Sequence, residues 1–216
     1  MKKTVLTLAL ASMFAGAGHV QAQGLIKKMM SNLYGGPKVE ANVSNFFISD
    51  MPEMDCQMNI GGSVGGFVGV RMSEHFAIQE DMLLSYKTSN FENDGVKGDY
   101  NYLGVDLTFY AMGNWKLNNG SSLSFGIGPF ASYGINAKYK VGDEETDLYE
   151  KNDEGKKAFK PLNVGGAITA GYEFKCGLQI NASYKIGVLN TLDSHDGDAT
   201  LRPSAISMGI AYRFGK

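Results

Sequence analysis

The stretch from Leu123 to Asn136, LSFGIGPFASYGIN, alternates with a two-residue period. Leu123, Phe125, Ile127, Pro129, Ala131, Tyr133 and Ile135 are apolar, while Ser124, Gly126, Gly128, Ser132, Gly134 and Asn136 between them are small or polar. Phe130 is the exception. Successive side chains of a strand point to opposite faces, so this is a strand with one apolar face. A helix would place apolar residues at i, i+3, i+4 and i+7, and none of that spacing is present. The chain is thereby limited to sheets whose apolar faces turn either into a core or out into lipid.

Seven further stretches alternate in the same way. The first, from about Lys38 to Phe47, sets Val39, Ala41 and Val43 against Glu40, Asn42 and Ser44. The second runs from Ile60 to Met72. It sets Ile60, Val64, Val68 and Val70 against Gly61, Ser63, Gly65, Gly69 and Arg71. The third sets Phe76, Ile78, Met82, Leu84 and Tyr86 against Gln79, Asp81, Ser85 and Lys87. The fourth places Leu103, Val105, Leu107 and Phe109 opposite Tyr102, Gly104, Asp106 and Thr108. After the opening stretch come Leu162 to Tyr172, then Gly177 to Val188, then the terminal run Ala205 to Phe214. Polar loops are expected between Phe47 and Asn59, over Thr88 to Asp99, over Lys140 to Lys160, and from Asn190 to Pro203. The remaining connections are short. Eight strands joined by alternately long and short connections form the pattern of an all-β, antiparallel, up-and-down transmembrane β-barrel.

A soluble barrel with the same alternation, such as a periplasmic ligand-binding barrel, is the competing architecture, because it differs only in which face is inside. Two features favour the membrane. Small residues dominate the polar face, as a narrow barrel interior requires. Aromatics on the apolar face gather toward strand ends: Phe76, Tyr86, Phe109, Tyr133, Tyr139, Tyr172, Tyr184, Tyr212 and Phe214. Tyrosine suits a membrane interface, with an apolar ring and a wet hydroxyl.

The N-terminus reads MKKTVLTLALASMFAGAGHVQAQ, with two lysines, an apolar run and a small-residue Val-Gln-Ala site. Residues 1–22 are expected to be a cleaved secretory signal peptide, which would deliver the chain through the inner membrane. Residues 23–37 read as an N-terminal segment, with Leu25, Ile26, Met29, Met30 and Leu33 at helical spacing; a short helix and an unstructured terminus are both open. The barrel is assigned to 38–216. The formal net charge is −2, and no basic cluster offers a footprint for nucleic acid. The two cysteines, Cys56 and Cys176, fall at opposite ends of the expected barrel, too far apart for a disulfide.

Several segments together resemble a known family: VEANVSNF on the first strand, AIQEDMLLSYKT on the third, FGIGPFASYGINAK on the fifth and MGIAYRF at the end. They are similar to the PorT-like outer-membrane β-barrel family, in the same order along nearly the whole mature chain. Asp81 stands where the family usually has Glu, Asp106 where it often has Pro, and Gly215-Lys216 follow the terminal Phe214. The resemblance implies an eight-stranded barrel in the outer membrane. The secretion role of the family's namesake does not follow from these motifs.

The polar face carries charges that need partners inside a narrow barrel. Arg71, Asp81, Asp106, Lys185 and Arg213 are expected to form an inward charge network that plugs the lumen, with a narrow ion path as the alternative. The acidic loop Asp193 to Asp198 lacks the regular spacing and distal Glu of a calcium loop and reads as solvated. No Ser/His/Asp or Cys/His arrangement is visible. The expectation is therefore a non-enzymatic monomer of the outer membrane, without cofactor or metal. Its partners would be outer-membrane lipid and envelope or extracellular proteins meeting the long loops. A small porin-like channel is the alternative function.

Overall fold

The computed structural model describes residues 31–50, 54–93, 96–151, 157–193 and 199–215. The expected signal peptide, most of the N-terminal segment and most of the acidic loop Asp193 to Asp198 lie outside them. Among the described residues there are nine strands: β1 (Leu33–Ser49), β2 (Met54–Arg71), β3 (Phe76–Asn93), β4 (Val96–Lys116), β5 (Ser122–Val141), β6 (Glu144–Asp147), β7 (Leu162–Glu173), β8 (Leu178–Gly187) and β9 (Thr200–Tyr212). Every neighbouring pair is antiparallel, and β1 pairs with both β2 and β9, which closes the ring. Eight strands make the barrel wall. The ninth, β6, is a short flap paired with the last residues of β5.

The closed ring leaves no free edge in the wall, so every spanning strand satisfies its backbone groups on both sides, as lipid demands. Short turns close one end. Gly120 and Gly177 occupy left-handed positions there, at φ 79° and 87°, which a side chain would resist. By the usual asymmetry of such barrels this is the periplasmic end, and the longer connections face outward. The outward stripe is apolar: Ile60, Val64, Met82, Leu84, Ile127, Ile135, Ile180, Met208 and Ile210 are all exposed.

The structure moves several expected boundaries. The wall begins at Leu33, so Gly35, Gly36 and Pro37 lie inside β1 rather than ending a helix. Gly36 is needed because a Cβ there would fall 1.7 Å from the Tyr212 carbonyl oxygen. Pro37 has no N–H to donate, and the continuous β1–β9 pairing starts only at Lys38. The expected loops at 47–59 and 88–99 are largely strand, since β2 begins at Met54 and β3 pairs with β4 from Phe76↔Gly113 up to Asn93↔Val96. Outside the lipid the outward residues become polar and the alternation fades, but the hydrogen-bonded ladder continues.

Two bulges also shift parity. In β5 the register steps from Leu103↔Asn136 to Gly104↔Gly134, giving that strand one extra residue. Above it Ala137 turns inward and is fully buried, and Tyr139 packs on the inner aromatic Phe91. Tyr139 is therefore not on the lipid face, and Lys138 is not on the inner one. A second step lies in β2 between Met58 and Gly62, and Cys56 above it is buried in the interior. A one-residue insertion has this effect because the side-chain period is two. No disulfide joins Cys56 to Cys176, which is exposed in the periplasmic turn between β7 and β8.

Candidate functional site

The lumen is filled in layers, and they are built from inward positions of almost every strand. At the periplasmic mouth Arg213 donates to Glu173 at 2.5 Å and lies over the Tyr34 ring, 5.8 Å from its centre. Gln179 donates to the other Glu173 oxygen at 2.7 Å. Arg71 lines the same polar vestibule, where its register partner is Ala77.

Above this lies an acidic layer. Lys38 reaches from β1 to Glu40 at 2.8 Å and across β2 to Asp81 on β3 at 2.7 Å. The other Asp81 oxygen accepts from Gln79 at 2.8 Å, and Tyr34 donates to Gln79 at 3.3 Å. Gly69 makes room for this arm of the layer, because a Cβ there would fall 2.3 Å from Tyr34 Cζ. All three charged groups are buried, and two carboxylates against one ammonium leave the layer at −1.

An apolar cluster of Phe67, Ala77, Tyr110, Met112, Phe130, Ala167 and Ala211 packs around the acidic layer, from Ala77 and Met112 at the periplasmic vestibule up to Ala167 beside Lys185. Phe130, the exception in the opening pattern, points inward here over Gly165. A Cβ at Gly165 would come within 2.6 Å of the Phe130 ring.

The next layer is basic. Asp106 is almost completely buried and accepts from Lys87 at 2.8 and 3.1 Å, from Lys185 at 3.4 Å, from Ser132 at 2.6 Å and from Ser85 at 3.1 Å. Two ammonium groups on one carboxylate leave it at +1. Lys87 also lies over the Tyr102 ring, 5.2 Å from its centre.

An aromatic cap completes the stack. Phe46, Phe91, Tyr100 and Phe159 make edge or tilted contacts with centroids 5.1 to 6.5 Å apart. Leu148, Leu201 and Ala137 pack with them. Backbone bonds hold the β5–β7 connection over the mouth, from Gly134 N–H to Pro161, Leu148 N–H to Ala137, Phe159 N–H to Leu148 and Lys160 N–H to Thr191. Tyr149 lies in that connection, and burial raises its phenol pKa well above the ordinary tyrosine value.

The five charges expected in one network are thus distributed over three levels. Asp81 and Asp106 are on adjacent strands but sit in separate layers, each with its own lysine. Lys185 joins Asp106, while Arg213 is at the other end of the lumen on Glu173. The sequence reading had put Glu40 and Lys87 on the polar face but outside the network, and it missed Lys38 and Glu173. Lys38 shares the inward parity of Glu40, Asn42 and Ser44, but no local spacing shows that it reaches Asp81 two strands away. Glu80, adjacent to Asp81, pairs in register with Val68 and Phe109 and is also buried. The interior is also less polar than expected, since its aromatics occupy the same inward parity as the glycines and serines.

Known proteins agree with this architecture. Among curated proteins nothing matches the chain. OprG from Pseudomonas aeruginosa, an outer membrane protein, is 10% identical, with 86% of this chain and 97% of that one covered and a TM-score of 0.51. Ail, the attachment invasion locus protein of Yersinia pestis, is 15% identical over 84% of this chain and 98% of that one, with a TM-score of 0.42. Neisserial surface protein A is 13% identical over 84% and 99%, also at 0.42. The OprG likeness supports the fold. The family model described as outer membrane protein beta-barrel domain matches residues 21–193, and the chain belongs to that family of the outer membrane.

Proposed function

We propose that this protein is a closed, non-catalytic barrel that acts at the outer surface of the outer membrane, as a surface-interaction or envelope-structural element. The observation that carries this is the stacking of layers across the lumen. A buried acidic layer, the apolar cluster packed around it that includes Phe130 and Tyr110, and a basic layer leave the two vestibules separated by side chains. An eight-stranded ring has an interior just wide enough for side chains to fill. An ion crossing it would have to displace either Lys38 from Glu40 and Asp81 or the two lysines from Asp106, and breaking buried pairs is costly.

What remains for function is the outer end. β1 to β4 run for 17 to 21 residues, longer than the ~9–11 residues that span a bilayer, and so project as a stiff wall with a folded cap. A stiff projecting surface suits recognition of another envelope or extracellular component. The PorT-like resemblance and a monomeric state belong to the same proposal. Planar-bilayer recording tests it: the reconstituted protein is expected to show no steady conductance. Steady single-channel steps would overturn closure and favour the small-channel reading.

A further inference from the structure

Between the aromatic cap and the basic layer lies a cavity of about 50 Å³, open in part to the outside. We propose that it binds a small organic monoanion with a flat apolar body, of the class of aryl monocarboxylates. This deepens the reading of a barrel that acts at its outer face.

Three properties of the cavity select that class. Its walls are mostly apolar, with Phe46, Tyr100, Tyr102, Phe130 and Tyr149 among them, and they match a flat ring. Its floor is cationic. Lys87 and Lys185 share one carboxylate, so the floor carries one positive charge that Asp106 does not balance. An ammonium group has three donors. Lys87 donates both its hydrogen bonds to Asp106 and Lys185 makes one long one, so both retain capacity toward the cavity. One surplus charge on the buried floor, with the exposed Lys160 adding a second cation to the lining, calls for a negative charge on the ligand. An amine would meet like charge, and a neutral ring would leave the floor uncompensated.

The third property is unsatisfied polarity. Asn163 and Thr191 line the cavity, are more than nine-tenths buried, and hold Oδ1 and Oγ1 without a hydrogen-bond partner. A buried polar atom without a partner is costly and uncommon. A hydroxyl or ring substituent on the bound anion would satisfy them. The residues come from β1, β3, β4, β5, β7, β8, β9 and the connections β6–β7 and β8–β9, so the pocket exists only in the closed barrel.

Phenylacetate is the probe, with phenylacetamide and phenethylamine as the neutral and cationic comparisons. Binding to the refolded full chain in detergent is followed by titration calorimetry, and heat-modifiable gel migration confirms folding of each variant. Phenylacetate is expected to bind, phenylacetamide to bind about tenfold or more weakly, and phenethylamine not to bind. Lys87→Gln is expected to weaken phenylacetate by about tenfold or more while leaving binding of phenylacetamide unchanged. Ala205→Leu narrows the cavity without altering a charge and is expected to abolish both. Equal binding of all three probes, or none of any, would overturn the proposal, as would a folded Lys87→Gln that binds phenylacetate normally. Should Lys87→Gln not fold, Ala205→Leu decides alone. Closure is tested separately by conductance, so a silent bilayer with no phenylacetate binding sinks this inference and leaves the closed barrel standing.

Discussion

Lys38 shows how one inward side chain can carry more of this fold than its neighbours. It is 4% exposed and is the cation that holds Glu40 and Asp81. Replacing it with methionine would keep the length of the chain and leave two carboxylates buried against each other. Lys38→Met is expected to destabilise the barrel by about 3–5 kcal/mol. Lys138→Met removes an ion pair with Glu145 that is 40% and 49% exposed, and is expected to leave stability nearly unchanged because water screens it. Urea unfolding from lipid vesicles measures both. Similar losses for the two variants would mean that the acidic layer is not desolvated as its burial implies.

At the scale of the strand, the alternation of β5 is readable only as far as the lipid reaches. Up to Tyr133 every odd residue faces out, because lipid selects an apolar side chain at each one. Beyond it the bulge at Ile135 and Asn136 inverts the parity, and no composition marks the insertion: Ile135 continues the apolar series and only Tyr139 and Lys138 betray it. The same limit explains why Thr88 to Asp99 read as a loop. Ser89, Phe91 and Tyr100 alternate inward there, but the outward partners are polar and no longer announce a strand. Strand number, order and lipid face were legible, whereas the pairing of interior charges was not. Lys38 meets Asp81 across β2, a contact set by the ring's register rather than by local spacing. The inversion has a testable role. Deleting Ile135 would only remove the bulge and leave Ala137, Lys138 and Tyr139 on their present faces. Inserting one residue between Asn136 and Ala137, with the bulge retained, would turn Ala137 and Tyr139 out of the cap and Lys138 into it. The lower barrel is expected to fold and remain heat-modifiable, while the outer connections become sensitive to limited proteolysis. Unchanged resistance after the insertion would show that the cap does not depend on which residues of upper β5 face inward.

For the whole molecule the decisive feature is that the charged and the apolar surfaces have exchanged places relative to a soluble protein. The interior holds Lys38, Glu40, Asp81, Asp106 and Lys185, all buried. The outside shows a continuous apolar stripe, far more than the few hundred Å² that a soluble monomer leaves uncovered. Trp115, Phe125, Tyr212 and Phe214 border that stripe near the short turns, in the position of an interfacial girdle. Lipid contact therefore makes a depth-dependent prediction that a soluble barrel would not. Ile127 is 59% exposed inside the stripe, paired in register with Ala111 and Ile168, whereas Trp115 lies beside the turn at Leu117. A lysine at Ile127 would be held within hydrocarbon, and a lysine at Trp115 could reach the headgroups. Ile127→Lys is expected to cost about 2–4 kcal/mol of folding stability in vesicles, against about 0–1 kcal/mol for a charge near the interface in Trp115→Lys. Both are measured by reversible denaturant titration in the same lipid. Repeating them in bilayers with shorter acyl chains should bring the two values together, because Ile127 then lies closer to an interface. Equal costs at both positions in the thicker bilayer would mean that the stripe does not cross hydrocarbon at this depth. A cost at Trp115 exceeding that at Ile127 would shift the membrane band toward the periplasmic turns, and with it the length of wall that stands free outside.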